Sequence, residues 1–288
     1  MKPACATAFC PGHISGYFMR MQGTTNAETG SAGAGIVISE GVKVTVRRAD
    51  RTSVCITRVT GAGTVETIAT ESPLLTSVLS HLGVTANVTT ECTLPVGAGF
   101  GLSAAALLAM LTALNRVSDL RLTVHDIAQI AHNAEVEHRT GLGDVAACQG
   151  GGWVVRHGPG IDATIERRFV PDVSLYAVSF GPIHTPTVLG SQEQMDRVRA
   201  AFPHQVPATL PEMFWISQQF AQESGLVTPE VEAVLDRCRQ QGIPASMTML
   251  GNGVFACGDK TLPVLAEFGT VYRCAIAREG ARILEEEP

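Results

Sequence analysis

Glycines at alternate positions, followed at once by an alanine-rich segment, constrain this chain more than any other feature. The glycines are Gly97, Gly99 and Gly101, and they lie between Pro95 and an almost wholly apolar segment at 103–117. This spacing predicts a strand that ends at the proline, a bend free of Cβ clashes, and a helix inside the domain. The unpaired amides at the start of such a helix carry the positive end of its dipole, which is typical of a phosphate-binding site.

Two common nucleotide-binding motifs do not fit this turn. A P-loop requires Gly-x-x-x-x-Gly-Lys-Ser/Thr, and no lysine is present here, whereas a dinucleotide fingerprint has its third glycine at a different position. We predict instead that the turn holds a triphosphate, with Ser103 adding a hydroxyl for a phosphate oxygen or for Mg²⁺. The alternative is a glycine-rich bend that only packs a helix against a sheet.

A second glycine motif, at residues 250–256, fits the dinucleotide pattern Gly-x-Gly-x-x-Ala by letter. The residues that follow it, Cys257, Gly258 and Asp259, do not read as a helix. We therefore predict a hairpin with residues 251–253 at its turn. An NAD-dependent oxidoreductase is accordingly the last-ranked hypothesis for the chain.

The order of the predicted elements assigns the chain to the α+β class. In the first half we predict strands at 35–48, 52–59, 63–69, 86–94 and 153–156. Helices are predicted there at 103–117 and 123–138, the second beginning at Thr123 with Asp126 in a partial capping box. In the second half we predict strands at 173–180, 245–250, 253–257 and 270–277. The helices predicted between them are at 191–202, 211–224, 229–241 and 261–268, on one face of an antiparallel sheet.

Glycine and proline residues interrupt the chain at 157–172, between these two halves. We place a domain boundary within this stretch. The predicted domains are residues 1–160 and residues 161–288.

Charge and composition exclude several classes of protein. A net charge of −6 argues against a general nucleic-acid binder, although a helix terminus can still bind phosphate in an acidic protein. There is neither a signal-peptide pattern nor a run of about 18 apolar residues, so we predict no membrane partner and a cytoplasmic location. The eight cysteines lack a Cys-x-x-Cys pair, as expected for mostly buried thiols without a disulfide framework.

Two charged residues after the second predicted helix are candidates for chemistry. Asp144 follows the glycines at 141 and 143 and precedes the apolar residues 145–147, so it is a candidate general base, with a helix N-cap as the simpler interpretation. Arg156 ends an apolar strand beside three glycines. We predict that its bidentate guanidinium holds a substrate carboxylate, the alternative being a surface cation at the strand end.

The glycine-rich turn resembles the phosphate loop of the GHMP kinase superfamily, which has the form Pro-x-x-x-Gly-Leu-Gly-Ser-Ser-Ala-Ala. The chain matches it at Pro95, Gly99, Gly101, Ser103, Ala104 and Ala105. Phe100 and Leu102 depart from it, but neither removes a backbone amide. The resemblance implies ATP as cofactor, bound by a loop whose residues are Pro95, Gly97, Gly99, Gly101, Ser103 and Ala104.

Two further segments resemble superfamily motifs. Residues 8–18 are similar to the first motif, in which His13 stands where these kinases carry a cation; we expect a shaped loop there rather than a core strand. Residues 133–145 resemble the stretch in which a helical glutamate binds Mg²⁺ and a later aspartate contacts the attacking hydroxyl. Glu135 or Glu137 is then the metal ligand together with Ser103. We favour Glu135, because it follows Ala134 as in the family's helix, and the alternative for either is a solvated carboxylate.

Within the superfamily, residues 10–18, 30–36, 99–105 and 140–145 resemble the archaeal pantoate kinases. The resemblance implies phosphorylation of pantoate to 4-phosphopantoate in coenzyme A biosynthesis, with an amino-terminal domain like ribosomal protein S5 domain 2, a ferredoxin-like carboxy-terminal domain, and a homodimer. Asp144 would be the base. His13, Ser31 and Arg156 would bind the substrate. Ser31 lies in a glycine-rich turn at 30–35, and the alternative is that this turn only leads into a strand at 36–39.

Two other hypotheses remain open from the sequence. The chain is also compatible with a GHMP kinase for homoserine, shikimate or a mevalonate-like alcohol. The superfamily contains nucleotide-binding sensors without turnover as well. The joint presence of Ser103, Glu135 and Asp144 favours an active kinase.

Overall fold

Two β-sheets and nine helices make up residues 3–288, which the computed structural model describes. The first, eight-stranded sheet contains β1 (Cys5–Met21), β2 (Gly30–Arg48), β3 (Ser53–Val59), β4 (Val65–Ala69), β5 (Ala86–Cys92), β6 (Trp153–Arg156), β7 (Ile165–Arg168) and β12 (Arg282–Glu287). The second sheet contains β8 (Ser174–Pro182), β9 (Ala245–Met247), β10 (Gly251–Cys257) and β11 (Val271–Ala275). The helices are α1 (Pro73–His81), α2 (Leu102–Ser118), α3 (Val124–His138), α4 (Asp144–Cys148), α5 (Thr185–Gly190), α6 (Gln192–Ala201), α7 (Leu210–Ser224), α8 (Pro229–Gln240) and α9 (Thr261–Ala266). The α+β prediction is confirmed.

The long strand β2 organises the first sheet, whose main path runs β12-β1-β2-β5-β3-β4. Residues 42–48 of β2 pair with β5, while residues 33–36 pair with β6, which in turn pairs with β7. β1 is antiparallel to nearly the whole length of β2. The amino-terminal half of β2 therefore lies between β1 and β6, the two strands that carry His13 and Arg156.

The expectation of a loop at residues 8–18 was wrong, because these residues lie inside β1. The register shifts relative to β2 between Pro11 and Gly12 and again between Ser15 and Tyr17. Irregularities of this kind accommodate a proline and a glycine within a strand. Pro11, Gly12 and Gly16 therefore mark bulges in a strand rather than a loop.

The glycine-rich turn expected at 30–35 is also part of a strand, the start of β2. A Cβ at Gly33 would overlap the carbonyl oxygen of Tyr17, and one at Gly35 would overlap the His13 ring. Glycine is needed here because β1 and a buried side chain come too close for any larger residue. The motif thus signals close packing rather than a bend.

The two helices predicted in the first half are confirmed. α2 has eleven buried residues and packs against β1 and β2, as its apolar composition indicates. In α3 the Thr123 hydroxyl accepts from the Asp126 amide, and the Asp126 carboxylate accepts from the Thr123 amide, so the capping box is complete. Sequence reasoning missed α1, although Ser72 caps it and Pro73 is its first residue.

In the second half the predicted antiparallel sheet is confirmed, in the order β11-β8-β10-β9. Its hairpin turn lies at residues 248–250, not at 251–253, because Gly251 already pairs with β8. Leu250 at this turn has a positive φ of 62°. One hydrophobic core includes side chains from both sheets. The domain boundary near residue 160 stays a prediction. Two strands that follow it in the chain, β7 and β12, belong to the first sheet.

Candidate active site

The turn between β5 and α2 has a backbone that requires its glycines. Gly97, Gly99 and Gly101 have φ values of 77°, 82° and 61°, a region that side-chain-bearing residues rarely adopt. Gly101 is the N-cap of α2, and with no side chain it leaves the first amides of the helix uncapped. No side-chain cap therefore occupies the start of α2, and phosphate binding there stays a prediction.

The late glycine motif lies directly against this turn. A Cβ at Gly251 would overlap the backbone of Ala98, and one at Gly99 would lie 3.0 Å from the carbonyl oxygen of Met249. The Ile183 amide also donates to the carbonyl oxygen of Gly97 at 3.3 Å. The second sheet thus packs against the turn through backbone contacts. Residues 251–257 form a strand rather than the helix start of a dinucleotide-binding motif.

Glu135 is buried below the start of α2, with 1% of its surface exposed. Its Oε1 accepts hydrogen bonds from the Ser103 hydroxyl at 2.6 Å and from the Thr140 hydroxyl at 2.9 Å. Its Oε2 is buried without a partner in the described part of the chain. Burial, helped by the nearby Asp144 charge, raises the pKa of Glu135 to about 7 despite these two hydrogen bonds. A buried carboxylate oxygen without a donor is suited to a cation.

The geometry separates Glu135 from the competing Glu137. Glu137 is exposed on the outer side of α3, whereas Glu135 points at Ser103 on α2. Helical spacing in the sequence placed both beside the apolar stripe and did not discriminate between them. Of the two glutamates, only Glu135 contacts the start of α2.

Asp144 begins α4 and pairs with His13 across the site, with 2.7 Å between Asp144 Oδ1 and His13 Nδ1. An ionised carboxylate only accepts and an arginine only donates. Nδ1 is therefore the donor to Asp144, and Nε2 accepts from Arg156 Nη1 at 3.4 Å. His13 is neutral in this arrangement, and burial lowers its pKa although Asp144 opposes that effect.

This pairing keeps Asp144 ionised. Burial alone would raise the pKa of Asp144, but the His13 hydrogen bond and the Arg156 charge outweigh it, so the pKa lies below its ordinary value. About one fifth of the Asp144 side chain is exposed, whereas His13 is fully buried. Asp144 is thus the member of the pair that a substrate can reach.

Arg156 reaches the same place from β6 with part of its guanidinium unused. Its side chain is 2% exposed, and Nε and Nη2 have no hydrogen-bond partner in the described residues. A Cβ at Gly143 would lie 2.6 Å from Ser31 Oγ and 2.7 Å from Arg156 Nε. Because Gly143 has no side chain, the Ser31 hydroxyl and the free guanidinium edge can both pack closely against it. The two form a donor set that matches a carboxylate.

A cavity of about 620 Å³ lies at this site, and several predicted residues line it: Ser31, Gly97, Gly99, Gly101, Ser103 and Asp144. It extends into an apolar lobe that includes Val42, Ile56, Leu74 and Leu75. The other predicted residues do not line it: Pro95, Ala104, Glu135, His13 and Arg156. A cavity of this size and mixed lining accommodates a nucleotide with a small substrate.

Sequence reasoning assigned no role to two polar residues of the site. Thr140 donates to Glu135, and the signal for it is its position at the start of the segment 140–145, which resembles the family. His132 is 1% exposed, and its Nε2 donates to the carbonyl oxygen of Thr29, two residues before Ser31. No local pattern in the sequence distinguishes His132 from an ordinary helix residue.

Comparison with known proteins agrees with this geometry. The family model described as the GHMP kinases N terminal domain matches residues 68–152, which include the glycine-rich turn and Asp144. A pantoate kinase from Methanospirillum hungatei is 44% identical over 284 residues, covering 99% of this chain and 98% of the relative. One from Thermococcus kodakarensis is 32% identical and covers 93% of this chain and 94% of its own.

This chain belongs to the pantoate kinase family of GHMP kinases. A solved structure titled as a phosphotransferase related to the CoA biosynthesis pathway has a TM-score of 0.81 and 25% identity, over 97% of this chain and 98% of that one. A homoserine kinase from Cytophaga hutchinsonii shares the fold, with a TM-score of 0.61 and 17% identity over 98% of each chain. The GHMP kinase fold and the use of ATP are thereby established.

A magnesium ion fits the residues present in this GHMP kinase. Ser103 and Glu135 offer oxygen ligands, the partnerless Glu135 Oε2 among them. No group of three or more His, Cys, Asp or Glu side chains within residues 3–288 forms a metal-binding cluster. Mg²⁺ usually binds to proteins through one or two carboxylates together with substrate phosphates. None of the described helices is long and apolar enough to cross a membrane.

Proposed function

We propose that this chain phosphorylates the primary hydroxyl of pantoate with ATP, giving 4-phosphopantoate for coenzyme A biosynthesis. The observation that carries the proposal is a set of groups at one cavity. An open helix start and an ionised carboxylate line it, and a buried, unpaired guanidinium edge packs against Gly143 in that lining. Pantoate offers a hydroxyl to phosphorylate and a carboxylate to anchor. Identity of 44% to a pantoate kinase over nearly the full chain supports the same substrate.

The triphosphate is assigned to the turn at 95–101 and the first amides of α2. Positive φ at the three glycines turns the backbone toward the cavity without side chains in the way. The apolar lobe of the cavity is suited to the adenine ring. Ser103 and Glu135 would hold Mg²⁺, which when bound would neutralise charge developing on the phosphates.

Asp144 is assigned as the base that accepts the proton of the attacking hydroxyl, either before the bond to phosphorus forms or while it forms. Its depressed pKa keeps it ionised at neutral pH, and the His13 hydrogen bond fixes its orientation. Since both nitrogens of His13 are engaged within the protein, we revise its predicted role from substrate binding to orienting Asp144. Transfer is in line, driven by positioning and charge stabilisation, with no covalent enzyme intermediate.

Arg156 and Ser31 are assigned to the substrate carboxylate. Two nitrogens of the buried guanidinium, Nε and Nη2, lack hydrogen-bond partners, and a bidentate carboxylate would satisfy both. His13 lies between Arg156 and Asp144 and hydrogen-bonds to each. The Arg156 guanidinium and the Asp144 carboxylate are therefore separated by one imidazole ring. This spacing suits the carboxylate and the hydroxyl at the two ends of a short hydroxy acid.

The proposal also includes a cellular location and an oligomeric state. A cytoplasmic location is supported by eight free cysteines, as expected in a reducing compartment. A homodimer rests on the family resemblance alone, and light scattering would measure it against the chain mass of 30.4 kDa.

The test is an acceptor panel with purified protein, ATP and Mg²⁺. We expect kcat/KM for pantoate to exceed that for homoserine, shikimate and mevalonate by on the order of 100-fold, because a buried site built for particular polar groups rejects substrates that leave them unpaired. ³¹P NMR of the product identifies the phosphorylated oxygen. Preference for another alcohol, or ATP binding without turnover on any of them, contradicts the proposal.

A further inference from the structure

Three consecutive glycines follow the helix that carries Asp144, and the proposed reaction gives them no role. A Cβ at Gly151 would overlap the backbone of Ala277 and Arg278, and Gly152 has a φ of 91°. A Cβ at Gly150 would lie 3.1 Å from both Cζ and Nε of Arg167. The first glycine thus leaves room for the guanidinium of an arginine from β7.

Arg167 uses that room to bind the carboxyl end of α4. Its Nη1 donates to the carbonyl oxygens of Ala147 at 2.8 Å and Gly151 at 3.0 Å, and its Nη2 donates to that of Ala146 at 3.1 Å. The last carbonyls of a helix have no partner within the helix, and buried ones need another donor. Arg167 supplies that donor from a neighbouring strand.

The helix it caps is too short to hold itself in place. α4 has only five residues, and the Ala147 amide donates to the Gly143 carbonyl oxygen before the helix at 3.0 Å. Isolated helices of this length are unstable in water. Asp144 is its first residue, so whatever fixes the far end of α4 also fixes the base.

The chemistry of Arg167 suits this task better than a general role at the surface. In the described part of the chain its three hydrogen bonds all go to backbone carbonyls, at the end of a helix where the dipole is negative. β7 pairs with β6, placing Arg167 opposite Val154, two residues before Arg156. One short strand pair therefore carries both the carboxylate clamp and the helix cap.

We propose that Arg167 is a positioning residue for the phosphoryl transfer, holding Asp144 at the attacking hydroxyl by capping α4 at its carboxyl end. It touches neither substrate. Its loss should therefore lower kcat and leave the binding of ATP and pantoate nearly unchanged. The inference rests on the proposed function, because its readout is turnover of pantoate.

The experiment compares Arg167→Ala and Arg167→Lys with Arg168→Ala as matched control. Arg168 is the next residue and is also partly buried, but it donates to the carbonyl oxygen of Pro207 at 2.6 Å and stacks on Trp153 instead. For Arg167→Ala we expect kcat to fall on the order of 100-fold, as small displacements of a catalytic group do, with both KM values within about threefold. Arg167→Lys should recover part of kcat, and Arg168→Ala should keep it.

Guanidinium ion added at millimolar concentration provides a second measurement on the same variants. It should raise kcat of Arg167→Ala by occupying the vacated cap, and it should not raise kcat of Arg168→Ala or of the wild type. If Arg167→Ala does not fold, the lysine variant carries the test, since wild-type kcat there would overturn the proposal.

Other outcomes have distinct meanings. Wild-type kcat in Arg167→Ala, a rise in KM alone, or an equal loss of kcat in Arg168→Ala would each overturn the positioning role. Wild-type protein that is inactive on pantoate would instead contradict the proposed function, so the two failures are distinguishable.

Discussion

Replacing Asp144 with asparagine is expected to lower kcat about a thousandfold, in the range that removal of a general base produces. The amide keeps the size of the side chain but does not accept the proton of the attacking hydroxyl. The open start of α2 is unchanged by the substitution, so ATP binding should stay within a few-fold of wild type. Steady-state kinetics with pantoate and calorimetric titration with ATP measure the two quantities.

The matched control is Asp162→Asn. Asp162 also pairs with a histidine, His125, but both side chains lie on the surface, with 2.9 Å between Nε2 and Oδ1. Its replacement should leave kcat unchanged, because an exposed pair contributes little. Turnover by Asp144→Asn at the wild-type rate would show that the base is assigned to the wrong residue.

Replacing Glu135 with glutamine is expected to lower magnesium-dependent kcat by on the order of 100-fold or more, since an anionic ligand to the cation is lost. The Ser103 and Thr140 hydroxyls can still donate to the remaining carbonyl oxygen, so the local fold is preserved. The apparent affinity for Mg²⁺ at saturating ATP should fall as well. Kinetics at varied Mg²⁺ measure both effects.

The same substitution should change how stability depends on pH. The pKa of Glu135 is raised to about 7 by burial, from an ordinary value of 4.5. A group with a raised pKa in the folded state contributes stability that is present below its unfolded pKa and lost as pH rises through the folded pKa. Without metal, the wild type should therefore lose up to about 3 kcal/mol from this group between pH 4.5 and 7, and Glu135→Gln should not.

Thermal melts of metal-free protein at pH 5 and pH 8 measure this difference. The Tm of Glu135→Gln relative to wild type should rise with pH. Glu137→Gln is the control on the same helix, and because Glu137 is exposed it should change neither Tm nor kcat. A Tm difference for Glu135→Gln that does not depend on pH would contradict the assignment of a buried carboxylate with a raised pKa.

How far the sequence predicts this site depends on the range of the interactions involved. The glycine-rich turn and α2 were predictable because a bend followed by a helix start is local, and its glycines have a local reason in positive φ. The Thr123 capping box was equally local. These features depend on residues within a few positions of each other.

The missed features depend on distant contacts. His13 lies in β1 rather than in a loop, because bulges opposite β2 accommodate the nearby proline and glycines. The choice of Glu135 over Glu137 required the position of Ser103 on another helix. His132 and Arg167 act on backbone carbonyls far away in sequence, and no pattern around them indicates this.

The proposed phosphoryl transfer requires the triphosphate to lie at the start of α2, opposite Asp144. A crystal structure with pantoate and a non-hydrolysable ATP analogue tests this directly. We predict phosphate oxygens within about 3.2 Å of backbone amides at residues 99–104, with the pantoate hydroxyl facing Asp144 and its carboxylate on Arg156. A triphosphate bound elsewhere, or an α2 start closed by the protein's own side chains, would contradict the proposed mechanism.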